Sequence, residues 1–311
     1  MGKKAHLAVL IVAAVTLIVT VVRIVLTPQL QDTHTGQFHL SYVVIGLMAV
    51  TAVAAVVLTY LDKSPALPAM EGRPLQVTAW MLIALGAVLV ITSMYDTFAW
   101  LRYGVTPPPS GAITGTADRL SLIGTLVCGL LAGAYSIRQG WSWVSGGCFT
   151  PGEYRLLPLA LPLWLWMRLA RYVVSYASAV SVTETFYDYT MLIVSLLFAM
   201  SLSRYLSSMT DYRSPALFWQ ALLTVLCGVS GPIVRFVMYL MGETEAYRAS
   251  ELASFPDLVL AGFAACVAIS LLFGKRYADL IAQADDMPTP ESQSLIEELA
   301  PEIPSSEDAE N

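Results

Sequence analysis

The chain has 311 residues, of which 56% are hydrophobic and 13% charged, with a formal net charge of −6. So apolar a composition excludes an ordinary soluble domain and points to the membrane class. The acidity is local: residues 275–311 carry ten acids and two bases, which leaves the apolar remainder at +2 and with no basic patch for nucleic acid.

The first apolar run, residues 6–27, follows Lys3 and Lys4. It is long for a signal-peptide core and lacks an A-x-A site before Thr27, which predicts a retained helix. Further runs of spanning length fall at 41–61, 77–99, 119–137, 155–181, 187–206, 215–241 and 255–273. The connectors between them, such as SPALPAMEGRP and TPPPSGAITGT, are rich in turn residues and too short to hold a soluble domain. The expected fold is all-α: a polytopic bundle of eight transmembrane helices over residues 1–274, then a cytoplasmic, acidic and largely disordered tail over 275–311.

Cytoplasmic loops collect lysine and arginine. An N-terminus inside places Lys3, Lys4, Lys63, Arg73, Arg138, Arg155, Arg204, Arg213, Lys275 and Arg276 in the cytoplasm, against Arg23, Arg102, Arg119 and Arg248 outside. Both termini are then cytoplasmic. Arginine outnumbers lysine thirteen to four and Asn311 is the sole asparagine, so no glycosylation sequon exists. That composition fits a bacterial cytoplasmic membrane.

The fifth run contains Pro158 and Pro162 and, deeper, Arg168 and Arg171. A re-entrant element over 155–167 would leave about 16 Å of helix before Glu184, too short for a ~30 Å core, so one kinked crossing is expected. Arg168, Arg171 and Ser175 share one stripe with Ser178 at i, i+3, i+7 and i+10. Counted from the end of the apolar run, Arg171 lies about 15 Å deep, below Asp96, Asp188 and Asp257. No acid is expected at that depth, and an anionic small molecule or lipid headgroup would neutralise the imbalance.

In the seventh run Arg235 lies beside Pro232, and the hairpin geometry suggests Asp257 as its partner. Glu184 and Asp188 stand at i, i+4, a spacing that suits either a solvated helix entrance or acid–base chemistry. Candidate ligand-binding residues are therefore Arg168, Arg171, Ser175 and Arg235, with Asp96, Glu184, Asp188 and Asp257 as charge-network partners. Trp80, Trp141, Trp143 and Trp219, with Tyr187 at the opposite ends, read as interfacial anchors.

Nothing in the chain resembles a phosphate-binding loop, a zinc-protease helix or a nucleophile elbow, and His34, His39 and Asp32 lack metal-ligand spacing. No cofactor, metal or catalytic residue is expected. Cys128, Cys227 and Cys266 sit inside apolar runs and Cys148 stands alone, which argues against a disulfide framework. Three functional classes remain. The first is a carrier or permease subunit holding an anionic group at the mid-membrane arginines. The second is a non-catalytic scaffold, assembly or sensor subunit, whose tail could present Leu295, Ile296 and Leu299 to a cytoplasmic partner. The third is a membrane enzyme acting on a lipid-linked substrate.

Overall fold

The computed structural model describes residues 3–30, 41–61, 73–103, 116–146, 156–174, 182–207, 215–241 and 251–285. All regular structure among them is helical: α1 (Lys3–Leu30), α2 (Ser41–Leu61), α3 (Arg73–Tyr103), α4 (Thr116–Gly146), a 3₁₀ turn (Leu157–Leu159), α5 (Ala160–Val174), α6 (Val182–Leu206), α7 (Ala216–Ser230), α8 (Pro232–Leu240) and α9 (Glu251–Asp285). A helix satisfies its own backbone, which is what an apolar solvent demands of a crossing segment. Among the described residues seven segments are long and apolar enough to cross: α1, α2, α3, α4, α6, the α7–α8 pair and α9.

The fifth expected span, 155–181, is described from 156 to 174. α5 has 15 residues, about 22 Å of helix, and is preceded by the 3₁₀ turn. Two prolines explain this start. Pro162 has no N–H to offer the Pro158 carbonyl, and Ser203 of α6 supplies the missing donor: its Oγ lies 2.6 Å from that oxygen and 2.7 Å from Ala199 O. Residues 175–181, with Ser175 and Ser178, lie outside the described residues, as do the loop histidines and residues 286–311. α9 continues past Gly274 to Asp285, because the KRYADLIAQAD stretch holds good helix formers and neither glycine nor proline.

α3, α4, α5, α6, α7 and α9 form a ring in which each packs on the next and α9 returns to α3; α1 and α2 lean on α7 from outside. Close approach of α3 and α4 follows from small residues one heptad apart. A Cβ on Gly86 would stand 2.6 Å from Gly133 O, and one on Gly140 would stand 2.8 Å from Ala79 O. Gly228 performs the same task between α7 and α9, where a Cβ would meet Ala261 at 2.8 Å. Inside the ring Phe198 and Phe263 meet edge to face with centroids 6.2 Å apart, and Thr78 hydrogen-bonds Ser270 at 2.6 Å between α3 and α9.

Candidate functional site, a belt of arginines and aspartates

The charged side chains of the expected site gather at one end of the bundle. Arg23 on α1, Asp96 on α3, Arg168 and Arg171 on α5, Asp188 on α6, Arg235 on α8 and Asp257 on α9 each lie within about two turns of a helix end. α1, α3, α5 and α8 finish there, and α6 and α9 begin there. The expectation that no acid lies at the depth of Arg171 is corrected by one contact: Asp96 of α3 lies within reach of its guanidinium.

Arg168 reaches across the ring to α9. Its Nη1 donates to Asp257 Oδ1 and its Nη2 to Asp257 Oδ2 at 3.0 Å, the two-pronged match of a planar guanidinium to a carboxylate. Both side chains are nearly buried, at 11% and 8% exposure. The same guanidinium lies 4.8 Å from the Trp164 ring centroid, one turn back on α5, so its face is covered by an aromatic as well.

Arg171 reaches α3, where its Nη1 stands 3.5 Å from Asp96 Oδ2. Arg235 donates to Asp188 Oδ1 at 2.6 Å. The pairing of Arg235 with Asp257 expected from the hairpin is therefore replaced. Asp257 takes Arg168, and Asp188, at the start of the neighbouring α6, takes Arg235. The Glu184 backbone lies in α6, but its side chain is outside the described residues.

Arg23, a charge near the outer end of the first apolar run, is a further buried cation. Arg23 is 1% exposed; it donates to Ser230 O at 2.9 Å and lies 4.0 Å from the Tyr187 ring centroid. Ser230 is the last residue of α7, before the Gly231–Pro232 break that starts α8. A carbonyl at a helix end needs an outside donor, and Arg23 provides one. Tyr187, expected at the interface, is instead buried under this arginine. Trp143 is also buried, because α4 runs on to Gly146 and carries it against the core, while Trp80 and Trp141 are exposed.

Beside Trp164, Ser93 of α3 faces Gly129 of α4. A Cβ at Gly129 would overlap Ser93 Oγ and come 3.1 Å from the indole. Ser93 Oγ is buried and has no hydrogen-bond partner among the described residues. Its neighbours Thr92 and Thr97 spend their hydroxyls on the carbonyls of Val88 and Ser93.

Among the described residues no three histidine, cysteine or acidic side chains gather as a metal site would require. No protein family, curated protein or solved structure matches the chain.

Proposed function

We propose that this chain is a non-catalytic membrane subunit of the scaffold, assembly or sensor kind, crossing a bacterial cytoplasmic membrane with both termini inside and the arginine belt in the outer half. The observation that carries this reading is that Arg168, Arg171 and Arg235 each meet an aspartate from a different helix. A guanidinium already matched by a carboxylate acts first as a fastener between helices, since opening a buried pair leaves an uncompensated charge. Asp188 is engaged by Arg235, which weighs against its use as a catalytic acid or base.

The test is a charge exchange. Arg168→Ala and Asp257→Ala should each lower the amount of folded protein extracted from membranes, and Arg168→Asp combined with Asp257→Arg should restore much of it. Full abundance of Arg168→Ala would overturn the fastening role. Reporter fusions after residue 35 and at residue 311 should fall in opposite compartments.

A carrier is the second reading, favoured by one specific feature. Both proline-interrupted segments, α5 and α7–α8, bear arginines of the belt, and transporters place their sites at such interruptions. In that case an anionic small molecule or lipid headgroup engages the belt, and Arg171→Ala abolishes uptake while leaving the protein folded.

A further inference from the structure

The glycines of the helix seams are fixed by their neighbours: a Cβ on Gly86, Gly140 or Gly228 would press to between 2.6 and 2.8 Å on an adjacent helix. Gly231 is different. Its φ of −83° suits any residue, and a Cβ there would meet nothing nearer than Cys227 O, at 3.6 Å. Neither packing nor backbone conformation demands glycine at this place. What glycine supplies is a loose joint, and it stands directly before Pro232, which has no N–H for the Gly228 carbonyl.

The segment beyond the joint is packed apart from the rest. α8 has nine residues, about 13 Å of helix. Its buried side chains Val234 and Met238 cluster with Ile24 of α1, whereas the continuous core draws on every other α-helix and, among the described residues, on none of α8. Phe236 and Leu240, on another side of α8, are exposed.

Side chains on either side of the joint reach adjacent residues of α6. Before it, Ser230 O accepts from Arg23, which lies over Tyr187; after it, Arg235 donates to Asp188. The first contact steadies the end of α7. The second ties down the segment that follows, through a carboxylate 17% exposed, and a pair open to solvent to that degree is a weaker tie than a sealed one.

We propose that α8 is a hinged strap, which swings about Gly231–Pro232 and is latched to α6 by Arg235 and Asp188. Opening lifts Val234 and Met238 from Ile24 and leaves the continuous core intact, so it costs far less than unfolding. A turn of about 20° at the joint moves the far end of α8 by roughly 5 Å. The strap takes only its latch from the fastening reading above, and adds to it a moving part beside the arginine belt.

The experiment reads thiol labelling of the full chain in nanodiscs, where both faces of the bilayer are open to reagent and orientation plays no part. Met238→Cys is placed in a chain whose four cysteines are replaced by alanine, and a water-soluble maleimide is the probe. Arg235→Gln unlatches the strap and should speed labelling about tenfold, whereas Gly231→Ala with Pro232→Ala stiffens the joint and should slow it about tenfold. Ser195→Cys, on α6 at a site with 0% exposure, should stay slow in every background.

An unchanged rate at Met238→Cys in either variant overturns the proposal. So does an equal rise at Ser195→Cys, since Arg235→Gln would then loosen the whole bundle. Should Arg235→Gln fail to accumulate, the stiffened joint decides alone. None of these results bears on Arg168 and Asp257, whose charge exchange tests the fastening reading separately.

Discussion

Arg168 and Asp257 join through both carboxylate oxygens, across the interior of the ring and over 89 residues of sequence. The pair is nearly buried, so its two halves should be strongly coupled. Arg168→Ala or Asp257→Ala alone should destabilise the folded state by about 3–5 kcal/mol, because each strands an opposite charge. The Arg168→Met, Asp257→Leu double variant should lose much less than the sum of the singles. Thermal unfolding in detergent measures all three, and additive losses would show that the pair does not fasten α5 to α9.

Arg23 should matter through the carbonyl and the ring it engages. Arg23→Met keeps much of the apolar stem and removes the donor to Ser230 O and the cation over Tyr187, which should cost about 1–3 kcal/mol. Tyr187→Phe keeps the ring under the guanidinium and should retain that part of the stabilisation. If Arg23→Met unfolds at the wild-type temperature, the α7–α8 junction does not depend on it.

Ser203 and Pro162 should be coupled through one carbonyl. Ser203→Ala leaves Pro158 O without its side-chain donor and should destabilise by about 1–2 kcal/mol. Pro162→Ala restores a backbone N–H that can serve the same oxygen, so Ser203→Ala made in that background should be milder. A double-mutant cycle on unfolding temperature reads the coupling, and a zero value would break the link.

Helix spacing offers a prediction with an internal control. Gly86→Leu drives a side chain into Gly133 O and Ile137, and overpacking of this kind should cost about 1–3 kcal/mol or prevent folding. Gly46→Leu on α2 has nothing within 4 Å of its Cβ position and should be tolerated. Comparable abundance of the two variants would show that the α3–α4 seam is not tightly set.

The helices were legible because long apolar runs leave few alternatives, and the charges of the belt because an ionised side chain stands out in such a run. Their partners were not. The pairing depends on how the helices tilt and stagger against one another, which a count of residues along one apolar run does not give, so Asp96 was set out of reach of Arg171. Arg23 shows the opposite difficulty. It sits in VTVVRIVL, where its charge within a span was visible, but its acceptor is a backbone carbonyl that residue identity does not reveal. Ser203 likewise looked like one of many serines until the Pro158 oxygen gave it a role.

The span between Arg168 and Asp257 sets an order of events during synthesis. Chains grow at roughly 5–20 residues per second, so α5 enters the membrane several seconds before its α9 aspartate has been made. Through that interval Arg168 must be held by water, lipid phosphate or the insertion machinery, and α5, doubly charged, has little reason to stay put. Its final seat is fixed only when α9 arrives. Truncation before Asp257 should therefore release α5 as well as delete α9, which makes the arrival of α9 the closing step of assembly for a segment placed near the middle of the chain.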